Sequence, residues 1–192
     1  MEFYDITQEL FSCEVYPGDT PPMRTDARLL ARGDSCNLTD FSMGAHNGTH
    51  VDAPLHFVDG SESVSDLPLT RFVGRAMVVS HQGDVTAFDA EKMLKLLKDG
   101  TTRILIRGDA TMTEEAANVF AKSKIDLIGN ESQTFGPVSS PAPVHRILLG
   151  AGMVLLEGIR LSHVPDGEYL LSCAPINLTG GDGSPCRAFL MK

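Results

Sequence analysis

Five short apolar runs, at 75–80, 103–106, 125–128, 153–156 and 169–172, limit what this chain is able to fold into. Each has four to six residues and is bounded by turn-forming residues. That is too short for a typical buried helix and about right for a strand covered on both faces. Between the runs lie segments of a different period. Residues 88–98 carry Met93, Leu94 and Leu97 at helical spacing, and Asp99-Gly100 supplies a stop. Thr113-Glu114-Glu115 forms a capped start for a helix through Ala121, and a third helix covers 144–149, ending near Gly150-Ala151-Gly152. Strands and helices alternate in the middle while the ends are richer in β, so the expected class is α/β with a mixed sheet.

At 192 residues the chain has room for a real core, since a domain of this size buries roughly 70% of its unfolded surface. It contains no repeat, low-complexity tract or linker-like shift, so one domain spanning 1–192 is expected. Glycine at 18 and proline at 11 positions favour many turns over long helices. A net charge of −9 with no basic cluster argues against a nucleic-acid partner. The first residues, MEFYDITQELF, lack a basic then apolar leader, and no apolar stretch approaches about 20 residues. A soluble, cytoplasmic protein without a membrane partner is therefore expected. Cys13, Cys36, Cys173 and Cys186 are widely spaced and form no CxxC pair, so they are expected to be free thiols.

The densest chemistry lies in residues 46–57, HNGTHVDAPLHF, with His46, His50, Asp52 and His56. A helix would pair His46 with His50 but turn Asp52 away, and Gly48, Thr49, Val51 and Pro54 all oppose it. In an extended chain the four residues share one parity and hence one face. A straight strand would still hold positions 46 and 50 roughly 13 Å apart at ~3.3 Å per residue, too far for two ligands of one ion. The chain must bend, and Asn47-Gly48 is where it can, with Pro54 as a second fixed point. On residue type and spacing alone, a metal site and a polar turn both remain open.

This stretch resembles the HxGTHxDxPxH signature of the cyclase family of metal-dependent hydrolases, which includes bacterial kynurenine formamidase and isatin hydrolase. His46, Gly48, Thr49, His50, Asp52, Pro54 and His56 all match it. The resemblance extends to Tyr16-Pro17-Gly18-Asp19, to 144–149 leading to Leu156-Glu157, and to the closing 181–188. It implies a swivelling β/β/α domain assembled as a homo-oligomer, a dimer or tetramer. His46, His50 and Asp52 would ligate one cation, and His145 and Glu157 would join Asp52, as bridge, around a second. His56 would be the general acid/base, and Tyr16 would bind substrate. His81 and His163 match no ligand position.

Nitrogen and oxygen donors without thiolate suit Zn²⁺, two ions per subunit on the family pattern, with Mn²⁺ compatible with the same donors. The implied activity is cleavage of a C–N amide bond by metal-bound hydroxide. The expected substrate is a small molecule, N-formylkynurenine or a related N-formyl aromatic amine, which would place the enzyme in tryptophan catabolism. Opening of isatin or another cyclic amide or lactone is the alternative activity, and a non-catalytic metal-binding module the alternative class. Two departures bear on substrate: Tyr16 stands where many kynurenine formamidases have tryptophan, and 128–134 differs from the formamidase pattern.

Overall fold

A strand buried on both faces has no polar side to show, and the central strands of this protein follow that rule. In the computed structural model, which describes residues 1–192, the chain runs β1 (Phe3–Asp5), β2 (Met23–Arg28), β3 (Leu38–Ser42), β4 (His50–Asp52), β5 (Val73–Ser80), β6 (Gly83–Val85) and α1 (Ala87–Lys95). It continues through β7 (Arg103–Arg107), β8 (Ala110–Met112), α2 (Glu114–Ala121), β9 (Leu127–Asn130), α3 (Ala142–Gly150), β10 (Val154–Glu157), β11 (Gly167–Ser172), β12 (Gly183–Pro185) and β13 (Phe189–Met191). The five apolar runs are β5, β7, β9, β10 and β11.

Nine strands form one mixed sheet in the order β1-β13-β11-β5-β7-β9-β10-β4-β12. Its centre, β5-β7-β9-β10, is parallel, and antiparallel strands extend it on both sides. Helices α1, α2 and α3 carry the three crossovers, as parallel pairing requires. Alternate residues feed two cores. Val78, Leu105, Leu127 and Leu156 pack on one face with Ile6, Phe72, Ile159 and Leu161. Met77, Ile104, Ile106, Ile128 and Leu155 pack on the other with Met93, Phe120, Val144 and Leu148 of the helices. The mixed α/β expectation holds.

The boundaries moved for local reasons. β9 starts at Leu127, and the Asp126 side chain before it pairs with Arg71, 3.1 Å away. α1 stops at Lys95 because Leu96 N–H and Leu97 N–H bond to carbonyls only three residues back, those of Met93 and Leu94. α3 begins two residues early because proline suits a first turn, where the amide donor has no helical partner. The β2–β3 ribbon is exposed along its whole length. No helix is long and apolar enough to cross a membrane.

Candidate metal centre

The bend expected at Asn47-Gly48 is present. Gly48 has φ 62°, and a Cβ there would approach Cys13 Cβ to 2.8 Å, so the position excludes a side chain on both counts. The chain then enters β4, where residues 50 and 52 share a face. Pro54 opens a 3-10 turn through His56 that returns the third imidazole toward the same face. β4 lies between β10 and β12, and His50 is directly opposite Glu157 in the β10 register. α3 delivers His145 from the helical side.

These elements gather all six residues expected as metal ligands or acid/base. His46 Nδ1 is 2.9 Å from Asp52 Oδ1, and His50 Nε2 is 3.3 Å from both Asp52 Oδ1 and Glu157 Oε2. His145 Nε2 lies 3.1 Å from Glu157 Oε1 and 3.8 Å from Asp52 Oδ2. The donors form two groups that share Asp52: His50, Asp52 and Glu157 in one, and His46, Asp52 and His56 in the other. The grouping differs from the ligand sets implied by resemblance, because β10 pairing draws His50 toward Glu157 and the 3-10 turn brings His56 beside His46.

The ring orientations test whether this set fits a cation. His50 Nδ1 is 3.0 Å from the Gly48 carbonyl and His145 Nδ1 is 2.9 Å from the Pro141 carbonyl. A carbonyl only accepts, so both Nδ1 atoms are N–H donors and both Nε2 atoms turn toward carboxylates. Asp52 and Glu157 are 1% and 2% exposed, a costly placement for two carboxylates unless positive charge lies between them. His50 Nε2 and Asp52 Oδ2 are buried without any hydrogen-bond partner. Lone pairs aimed at one another in a buried site fit a divalent ion, with second ring nitrogens anchored as in metal-ligating histidines.

Without an ion, the two carboxylates set the charge of the surrounding imidazoles. Burial pushes the His50 imidazole down, yet Asp52 and Glu157 outweigh it and raise its pKa to about 10. His46 and His145 are likewise raised, burial being overcome by Asp52 in the first and chiefly by Glu157 in the second. Burial also opposes ionisation of Asp52, but His46 and His50 hold its carboxyl well below the usual range. His56 behaves differently. Burial lowers it, the pull of Asp52 does not compensate, and His46 adds to the lowering.

A cavity of about 340 Å³ opens over the cluster, lined by His46, His50, His56, His145 and Glu157 below and by Tyr16 and Phe57 among its walls. Tyr16 donates its hydroxyl hydrogen bond to the Val138 carbonyl at 3.1 Å, which ties the two loops at its mouth. Gln133 also lines this cavity, although sequence reading gave it no role. A larger groove of about 580 Å³ lies beside Phe41 of the β2–β3 ribbon. Neither of the two donor groups opens into it, so its size does not make it the site of chemistry.

Two neighbours lie in the closing 181–188, which carries the resemblance but to which the sequence assigns no role. Asp182 Oδ2 lies 3.0 Å from His46 Nε2 and 3.2 Å from His56 Nδ1. A Cβ on Gly183 would come within 2.4 Å of His46 Cε1. The run 180–183 reads as a turn, and only the pairing of β12 with β4 connects it to the histidines. His81, left without a role, bonds the Asp84 carbonyl away from the cluster.

Comparison with known proteins gives a consistent picture. The Cyclase family model, described as "Putative cyclase", matches residues 4–136. The kynurenine formamidase of Salinibacter ruber is 34% identical over 206 residues, covering 99% of this chain and 97% of its own. A structure described as a predicted metal-dependent hydrolase from Bacillus stearothermophilus superposes with a TM-score of 0.82 at 27% identity, covering 98% of this chain and 97% of the other. Isatin hydrolase A from Labrenzia aggregata shares the fold, with a TM-score of 0.83 at 23% identity over 98% of this chain and 93% of its own.

Proposed function

We propose, from the premise that this chain belongs to the cyclase family and is a hydrolase of that family, that it cleaves the C–N bond of an N-formyl aromatic amine, N-formylkynurenine above others. The observation that carries the reading is the buried pair Asp52 and Glu157 facing imidazole nitrogens at the floor of a cavity that His56 lines. The substrate class is supported by the full-length likeness to a kynurenine formamidase.

On the family pattern His46, His50 and Asp52 would hold one divalent ion and His145 and Glu157, with Asp52 shared, a second; His50 Nε2, 3.3 Å from both Asp52 and Glu157, is compatible with either set, and the donor types favour zinc over manganese. A bound ion of this kind supplies Lewis acidity, lowering the pKa of a water toward ~7 and polarising the carbonyl under attack.

The remaining steps belong to the chain. His56 Nε2 has no protein partner, and the ring is 27% exposed, so this nitrogen is free to meet substrate. It takes a proton from the attacking water and returns it to the departing nitrogen as the C–N bond breaks, leaving formate and the aryl amine. Its lowered pKa keeps the imidazole neutral and able to accept that proton. Tyr16, held at the mouth by its bond to Val138, offers an aromatic wall for the substrate ring.

The test compares hydrolysis of N-formylkynurenine and isatin by the wild-type protein and by His56→Ala, with metal content measured on both. N-formylkynurenine should be the better substrate. His56→Ala should lower turnover by ~10²–10⁴-fold with metal retained. Full activity in that variant removes His56 from the mechanism. Stoichiometric metal with no hydrolysis across an amide and lactone panel would make the protein a binding module instead.

A further inference from the structure

We propose that Asp182 is a positioning residue that orients His56 for proton transfer and holds the His46 ring with the same oxygen, an assignment that rests on the reading of His56 given above. Nothing in the chain's local spacing links position 182 to the histidines. The link is made by the sheet: β12 pairs with β4 so that Gly183 lies opposite Asp52, and the Ala53 N–H donates to the Asp182 carbonyl at 2.9 Å. Val64 N–H donates to the Gly181 carbonyl, also at 2.9 Å. The backbone carrying Asp182 is thus tied on both sides to the segment that follows the His-rich strand.

The side-chain geometry then limits what Asp182 can do. Its Oδ2 is 3.2 Å from His56 Nδ1, the one hydrogen bond the His56 ring makes within the protein. A carboxylate oxygen accepts, so His56 must carry its proton on Nδ1 and present Nε2 as a lone pair to the cavity. That is the tautomer a base needs if Nε2 is to take the proton of water. With no second hydrogen bond on the ring, loss of this acceptor leaves both tautomers, and a flip of the ring in its plane, open.

The same Oδ2 is 3.0 Å from His46 Nε2, while His46 Nδ1 faces Asp52 on the other side. A carboxylate oxygen has lone pairs for two N–H donors. A ligand imidazole whose far nitrogen donates to a carboxylate is held in orientation and made a better ligand. The two rings stack at 4.0 Å between centroids and 23° between planes. One oxygen therefore sets the spacing between a proposed ligand and the proposed acid/base. Asp182 is itself 48% exposed and makes no hydrogen bond to Asp52 or Glu157, so its link to the proposed ligands runs through His46.

The experiment uses Asp182→Ala and Asp182→Asn, each alone and combined with His56→Ala, in the full-length zinc-loaded protein. Three quantities are read: kcat and KM on N-formylkynurenine, zinc affinity by chelator competition, and the His56 tautomer from long-range proton–nitrogen correlations of the imidazoles. Asp182→Ala should lower kcat by about 10–100-fold with KM nearly unchanged, weaken zinc binding within the same range, and mix the His56 tautomers. Asp182→Asn keeps an acceptor oxygen and should recover the Nδ1–H tautomer and part of kcat.

In the His56→Ala background, Asp182→Ala should cost much less turnover than it does alone, because only its hold on His46 remains. Wild-type kcat and an unaltered His56 tautomer in Asp182→Ala would overturn the proposal, as would a full additional loss in the double variant. The outcome is separable from the reading it rests on. If His56→Ala is fully active, the acid/base role fails, whereas the tautomer and zinc measurements still decide whether Asp182 holds the two rings.

Discussion

A methyl group at position 183 has nowhere to go. His46, the side chain it would strike, is held between Asp52 and Asp182, so Gly183→Ala must displace the ring or the strand. Overpacking of this kind costs about 1–3 kcal/mol. Calorimetry should show Tm falling by roughly 2–12 °C for a chain of this length, together with weaker zinc binding. An unchanged Tm and affinity would show that the contact yields freely. The thiols allow an independent check on burial. Burial pushes the Cys173 thiol up to about 12 and Cys186 well above its ordinary value, whereas Cys36 is exposed. A thiol reagent at mildly alkaline pH should modify Cys36 in the native protein and reach Cys173 and Cys186 only after unfolding. Side chains near in sequence were open to this kind of reasoning. The common parity of His46, His50, Asp52 and His56 and the need for a bend at Gly48 follow from chain geometry. Asp182 was not accessible in that way, because 136 positions separate it from His46 and only strand pairing joins them.

Strands β7, β9 and β10 and the second half of β5 announce themselves because burial on both faces demands a continuous apolar run, and β11 is legible from its Tyr169-Leu170-Leu171 run although Leu170 faces outward. β4 and β12 do not. Each has three residues, and β4 contributes His50 and Asp52, side chains that no propensity assigns to a strand. Their conformation is imposed by neighbours, chiefly β10. Resemblance was needed to single out His145 and Glu157, since a histidine in a helix and an acid closing a strand are ordinary features taken separately. The helical layer makes its own prediction. Phe120 of α2 is fully buried among the helices and the sheet, far in sequence from every donor. Phe120→Ala should lower unfolding free energy by ~3–5 kcal/mol in urea titration, with the metal content of the folded protein unchanged. Loss of metal from the folded variant would mean that α2 packing controls the cluster directly.

Four separate parts of the fold converge on the metal centre: the bend and β4 with its following turn, the end of β10, helix α3, and the lead into β12. Each supplies groups that would repel or stay unpartnered alone, and they are compatible only around positive charge. Ion binding should therefore stabilise the fold as a unit. At a free concentration of 100 times Kd the gain is ~2.7 kcal/mol, so chelation should lower Tm by roughly 5–11 °C, recoverable on returning zinc. Asp52 is shared by both donor groups, which makes it the position on which the account turns. The decisive measurement is elemental analysis of the wild-type protein and of Asp52→Asn after equilibration with zinc and removal of excess. Stoichiometric zinc in the wild type and almost none in a folded Asp52→Asn is the result expected. A wild-type protein that retains no divalent metal, or an Asp52→Asn variant that retains as much as the wild type, would contradict it.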